Sequence, residues 1–156
     1  MTMKRPIRPS AKAIIIEDGK LLAIRISDGG EEWYILPGGG QEPEELLPEA
    51  VCREVAEELG LKVDVKELAF VIEGLHGEPS HRIDLVFRCE VTGKIENAQL
   101  HADTHQTGVD WLDVATLNRA PLYPSKLRRA IMNLHEGKSH PVYLGNESMG
   151  DPEITE

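Results

Sequence analysis

Apolar and polar positions along the chain fall into short runs broken by glycine, proline and acidic turns. Residues 11–17 and 20–27 are rich in isoleucine, leucine and alanine, and the Asp18-Gly19 pair between them is a hairpin signal. A loop over 28–32 leads to a short strand, 33–36, which Pro37 ends. The period then changes. Val51, Val55 and Leu59 lie at i, i+4 and i+8 and, with Cys52 and Ala56, form the apolar stripe of a helix running from about Glu45 to Leu59. Pro48 fits a helix only in its first turn, and Gly60 is suited to a left-handed stop. Strand-like runs return at 61–76 and 81–91, split by the breaker residues 77–80. A polar loop over 93–108 and a further apolar run lead to a last helix, 125–135, with Ser125 as its expected cap.

The resulting order, three strands, a helix, two strands, a loop, a strand and a helix, is not a steady strand–helix alternation. It predicts an α/β class of the α+β kind, a mixed sheet with helices packed on its faces and not a doubly wound parallel fold. The 156 residues suit one domain. We read 1–10 as an N-terminal arm, 11–135 as the domain, and 136–156 as a tail. That tail is expected to be mobile or to form a homodimer contact through Val142, Tyr143 and Leu144.

Composition narrows the function classes. No run of eighteen apolar residues exists to span a membrane, and the basic first ten residues lack the apolar stretch of a signal peptide, so a cytoplasmic location is expected. Cys52 and Cys89 have no CxxC spacing and are expected to be buried free thiols. A formal net charge of −10 disfavours duplex nucleic acid as a partner. An acidic protein can still bind phosphates when divalent cations bridge the two.

That bridge has candidate residues. Seven glutamates, at 42, 44, 45, 49, 54, 57 and 58, crowd the stretch 38–61. Glu54, Glu57 and Glu58 share one side of the helix at i, i+3 and i+4, where each like-charge pair costs about 0.2–0.5 kcal/mol. A divalent cation reverses the sign of that cost, and carboxylate oxygen is the ligand that Mg2+ and Mn2+ take. Helix geometry alone equally allows a solvated acidic face laced by Glu49–Arg53 and Arg53–Glu57 pairs. Pro37 followed by Gly38, Gly39 and Gly40 supplies a backbone with little bulk, able to approach a ligand closely.

Taken together, Gly39, five residues, Glu45, seven residues, then Arg53-Glu54-Val55-Ala56-Glu57-Glu58-Leu59-Gly60-Leu61 resembles the complete signature of the Nudix hydrolases. The order of elements over 11–135 is similar to the Nudix α/β/α sandwich with its catalytic loop–helix–loop. The resemblance implies hydrolysis of a pyrophosphate bond in a nucleoside diphosphate linked to another group, of nucleoside triphosphate or nucleotide-sugar type. It implies Mg2+ or Mn2+ as cofactor, held by Glu54, Glu57 and Glu58, with Glu45 assisting and the Gly38 carbonyl completing the shell. Arg53 would orient the glutamates, and the catalytic set would be Glu57, Glu58 and Arg53. Glu44 stands where the family often has glycine, and Pro48 stiffens the first helical turn; both predict an altered loop with activity retained.

Substrate contacts are less sharply marked. Gly39 and Gly40 could meet a phosphate through their amides. Trp33 could stack on a base or pack in the core, and Arg25 and Arg82 could hold phosphate or be surface charges. Asp103, between His101 and His105, is either a base from a later loop or a solvated acid; between Asp103 and Glu58 the helix residue is favoured as base. The window after the signature that marks particular substrates in the family holds His76 and Gly77, with Pro79 late and no tyrosine, and supports no subclass. The rival reading is a catalytically silent Nudix-fold nucleotide sensor, against which the intact set of glutamates argues.

Overall fold

The computed structural model describes residues 5–101 and 103–156; residues 1–4 of the expected arm lie outside them. The described residues form β1 (Ile7–Glu17), β2 (Lys20–Asp28), β3 (Glu31–Ile35), β4 (Gly38–Gly40), α1 (Leu47–Leu59), β5 (Leu61–Gly74) and β6 (His81–Lys94). Then follow β7 (Gln106–Asp113), a 3-10 segment (Val114–Arg119), α2 (Lys126–His135) and β8 (Tyr143–Asn146). The sheet is mixed, ordered β3-β2-β1-β6-β5-β8, with β4 also paired to β1 and β7 to β2. No helix among the described residues is long and apolar enough to cross a membrane.

Strand β1 is the hub. It runs parallel to β6 from Ile7 opposite His81 to Ile15 opposite Cys89, and antiparallel to β4 with Lys12 opposite Gly38. It turns into β2 through Asp18 and Gly19, both at positive φ, as the favoured two-residue hairpin demands. Alternation along β1 sends Ala11, Ala13 and Ile15 into a core with Val51 and Val55 of α1. Ile14 points the other way, into a core with Leu127 and Ile131 of α2. One helix therefore covers each face.

The structure departs from the sequence reading in several places. β1 starts at Ile7, so the second half of the expected arm is strand. Its register is imposed by β6 across Arg8 and Pro9, where no apolar alternation announces it. The three glycines pair with Ser10, Ala11 and Lys12 as a strand, a tertiary override of their weak strand preference. α1 begins at Leu47 with Pro48 in its first turn, and Gly60 ends it in the left-handed conformation as expected. Ser125 gives its helix no side-chain cap. The cap is Glu147, whose buried carboxylate accepts from Ser125 N at 2.7 Å, Lys126 N at 2.9 Å and Ser125 Oγ at 2.9 Å. A negative group at a helix N-terminus satisfies free amides and the helix dipole together.

Glu147 belongs to the tail. β8 adds to the edge of β5, with Val71 opposite Tyr143, and Leu144 packs on the α2-side core while Val142 and Tyr143 remain exposed. The cysteines divide: Cys89 is buried, whereas Cys52 is exposed because its helix position rolls off the apolar stripe.

Candidate active site

The site begins with steric necessity at β4. Gly38 sits at φ +141°, and a Cβ there would stand 2.2 Å from the Ala11 carbonyl oxygen. A Cβ on Gly39 would stand 2.5 Å from the carboxyl carbon of Glu54. At Gly38 the clash is with backbone, so only glycine fits, whereas at Gly39 the missing Cβ lets the Glu54 carboxylate lie close against the strand.

Arg53 gathers the acids. Its Nε donates to Glu45 Oε2 at 2.7 Å and its Nη2 to Glu45 Oε1 at 3.0 Å, a bidentate pair. Nη1 donates to Glu54 Oε1 at 3.0 Å and to Glu57 Oε2 at 3.3 Å, and Nη2 also reaches the Gly40 carbonyl at 2.9 Å. Hydrogen bonding from Arg53 holds the Glu45 carboxyl below the usual range, and the bond to Glu45 drives the guanidinium further up. Glu49, expected as an Arg53 partner, instead accepts from Leu46 N at 3.1 Å in the first turn of α1.

Glu58 is held apart from Arg53. Its Oε1 accepts from Gly38 N at 2.7 Å and its Oε2 from Gln106 Nε2 at 3.0 Å. Burial pushes its carboxyl up, with the Gly38 amide, Gln106 and Lys12 pulling the other way. Gln106 is itself set by the loop before β7, where its amide meets the Asp103 carbonyl at 3.0 Å. His101 N meets the Glu57 carbonyl at 2.8 Å, pinning that loop to the end of α1.

The donor set is carboxylate oxygen throughout, the chemistry of a small hard divalent cation. Glu45, Glu54 and Glu57 share one guanidinium here, and Glu58 stands beside them without it, so carboxylates outnumber the cations that meet them. As the side chains stand, no three acids, histidines or cysteines among the described residues are grouped to hold a metal ion. Glu45, Glu54 and Glu57 are turned onto Arg53, so the set fits a cation in type and number, not in a preformed cage.

A cavity of about 820 Å3 is lined among others by Lys12, Trp33, Arg82, Asp84 and Leu127, and by none of the four glutamates. Lys12 is the connection: it pairs with Gly38 across β1 and β4, and its charge acts on both Glu58 and Asp84. Asp84 is buried, accepts from Arg82 Nε at 3.0 Å through Oδ2, and leaves Oδ1 without a partner among the described residues. Trp33 and Arg82, expected as substrate contacts, are thus brought to one cavity.

Arg25 and Asp103 are not brought there. Arg25 is spent on Asp110 at 2.8 Å and on Thr107, where Asp110 also accepts from Tyr34. Asp103 stays exposed, contributing its backbone carbonyl. Sequence reasoning missed Gln106, and it passed over Lys12 and Asp84 as site residues. The signal for the last two was present: Lys12 is a lone charge in "AKAIII", and Asp84 is an acid flanked by apolar residues in "IDLVF".

Comparison with known proteins agrees with this geometry. A NUDIX domain model matches residues 6–134. A MutT-like protein of Streptomyces ambofaciens is 36% identical over 137 residues, covering 82% of this chain and 82% of its own. An ADP-ribose pyrophosphatase of Methanocaldococcus jannaschii is 32% identical over 126 residues, covering 80% of this chain and 72% of its own. Among solved structures, a NUDIX hydrolase from Nitrosomonas europaea superposes with a TM-score of 0.70 at 23% identity, over 88% of this chain and 93% of that one, and shows the shared fold. With its glycine strand, its arginine-gathered glutamates and this span of similarity, the chain belongs to the Nudix hydrolase family.

Proposed function

We propose that this protein hydrolyses a pyrophosphate bond in a nucleoside diphosphate linked to another group, of nucleoside triphosphate or nucleotide-sugar type, with Mg2+ or Mn2+. The observation that carries the reading is the convergence of Glu45, Glu54 and Glu57 on Arg53, beside a separately anchored Glu58, with Lys12 linking this cluster to a cavity large enough for a nucleotide. The names of the two relatives, a MutT-like protein and an ADP-ribose pyrophosphatase, point to the same linkage in different substrates.

Each residue has a role in this scheme. Glu54, Glu57 and Glu58 hold the divalent cation, with Glu45 and the Gly38 carbonyl in support. Held there, the cation would supply charge neutralisation for the phosphates and a lowered pKa for a water beside them. Arg53 fixes the rotamers of three glutamates through its fork of donors. Glu58, clamped by Gly38 N and Gln106, takes the proton from the water that attacks phosphorus. Lys12, between this cluster and the cavity, receives a phosphate oxygen. The Gly39 amide, opposite Ala11 in the β1–β4 ladder, is turned toward β1 and is not free for this contact.

The test is a panel. Purified protein with Mg2+ is offered nucleoside triphosphates, oxidised nucleotides, ADP-ribose and dinucleotides, and release of phosphate or pyrophosphate products is measured. Turnover of at least one class that stops with EDTA is expected. Nucleotide binding with no turnover of any class would replace the enzyme by the silent sensor.

A further inference from the structure

The NUDIX match ends at residue 134, yet the tail beyond it builds one wall of the cavity, through Glu147, Ser148, Met149, Gly150 and Asp151. This wall is fastened at many points. Glu147 N donates to the Glu73 carbonyl at 2.9 Å, and its carboxylate caps α2. Ser148 Oγ accepts from Leu75 N at 3.1 Å and His76 N at 3.0 Å, and Ser148 N donates to Asp151 Oδ2 at 2.7 Å. Farther on, Ile154 N donates to Ser125 Oγ at 2.8 Å, and Glu153 pairs with Arg128. A tail bonded this densely on both sides of residue 149 holds it in one place.

Residue 149 is a methionine, 68% exposed at the rim of the cavity. Its Cβ lies where a side chain on Gly77 would be, 2.4 Å from the position that a Gly77 Cβ would take. The loop between β5 and β6 thus makes room for the root of Met149 while its thioether stays uncovered. Trp33, from β3, lines the same cavity. A polarizable thioether and an indole both make favourable contacts with a flat aromatic ring.

Charge orients what enters. Of the lining side chains six are acidic and two, Lys12 and Arg82, basic. Lys12, with Asp84 next to it, lies beside Gly38 at the glutamate end, whereas Glu31 and Glu32 adjoin Trp33 along β3 and Asp151 follows Met149 in the tail. A ligand with phosphates at one end and an uncharged ring at the other matches this polarity; one anionic at both ends does not.

We propose that the tail turn 147–151 is a specificity element, and that Met149 with Trp33 grips the nucleobase of the substrate while its phosphates lie toward Lys12. This rests on the nucleotide hydrolysis proposed above and names the part of the substrate that is recognised. It selects base-bearing nucleotides over sugar phosphates and over substrates with a second anionic end.

The test uses the full chain and two readouts. In a Trp111→Phe background, emission from Trp33 is followed in EDTA as ATP, GTP, CTP and UTP are added in turn; quenching that saturates is expected. Inorganic triphosphate, which has no base, serves as the control and leaves the emission unchanged. For the nucleotide hydrolysed best, Met149→Ala and Trp33→Ala each raise KM by about five- to hundredfold, the range of one lost base stack. Both keep kcat within about twofold, because phosphate positioning is untouched. Inhibition by inorganic triphosphate is the same in wild type and both variants. Saturating quenching without hydrolysis would remove the enzyme reading and keep this one. Hydrolysis with KM unmoved by both variants, or an equal loss of triphosphate inhibition, would overturn the assignment. Since Met149 is exposed, its truncation leaves the melting temperature near that of wild type, and a Met149→Leu variant restores KM if apolar contact is the cause.

Discussion

Arg53 and Glu45 form a two-point pair, Nε to Oε2 at 2.7 Å and Nη2 to Oε1 at 3.0 Å, that ties the middle of α1 to the loop before it. The same guanidinium holds Glu54 and Glu57, so one planar group sets three carboxylates at once. A lysine carries the charge without the fork. Arg53→Lys is therefore expected to lower activity by about 10–100-fold and to raise the divalent cation concentration needed for half-maximal rate. Metal titration of hydrolysis checks this, with circular dichroism showing the fold retained.

Glu44 holds the left-handed conformation, at φ +68°, with its side chain exposed. This explains in backbone terms why glycine suits the position before the first motif glutamate. The left-handed region costs a non-glycine residue about 1–2 kcal/mol, part of which a glycine returns through the entropy of its unfolded chain. Glu44→Gly is expected to stabilise the protein by about 0.5–1 kcal/mol, read from urea unfolding. A loss of stability would show that Glu44 makes a contact worth more than its strain.

Glu147 anchors the tail to α2 through three accepted hydrogen bonds. Glu147→Ala leaves two backbone amides and the Ser125 O–H without an acceptor at the start of α2. The expected loss is about 2 kcal/mol, the upper part of the range for removal of a helix cap. Chemical denaturation measures it, and limited proteolysis is expected to cut the variant first near residues 147–151.

Asp84 gives a pH signature. Burial pushes its carboxyl above 3.8, against the pull of Lys12 and Arg82. The folded state therefore binds this proton more tightly than the unfolded state. Its contribution to stability is largest below pH 3.8 and is lost as pH rises through the folded value. Asp84→Asn removes the titration. The unfolding free energy of wild type minus that of Asp84→Asn is expected to fall as pH is raised from about 3.5, with a sign fixed by linkage. A difference that stays flat or climbs contradicts the burial of a charged group there.

The fold was legible where a local pattern carried it. The Asp18-Gly19 hairpin, the Val51–Val55–Leu59 stripe and the Gly60 stop each depend on a few neighbouring residues, and each stands as read. β1's start at Ile7, the glycine strand β4 and the tail strand β8 depend on partners distant in sequence, β6, β1 and β5, and no local period encodes them. The Arg53 network shows the same split. Arg53–Glu57 follows from helix spacing, but Glu45 and the Gly40 carbonyl reach Arg53 only because the loop folds back. Gln106 holds Glu58 across 48 residues, and a glutamine in a polar stretch announces nothing. The tail's apolar trio is expected as a homodimer contact, yet Leu144 packs against the α2-side core. Arg25, equally basic as Arg82 in sequence, lies on a strand face where Asp110 claims it.

The central claim is that the carboxylates of α1 carry out cation-dependent hydrolysis. Its most direct measurement is the Mg2+-dependent rate of Glu57→Gln and Glu58→Gln on whichever nucleotide the wild-type protein turns over, with thermal unfolding run in parallel. The account predicts a fall of at least about a hundredfold in each, with the folded structure intact, since each loses a charge that meets the cation or the water. Near-wild-type rates in both variants would contradict it.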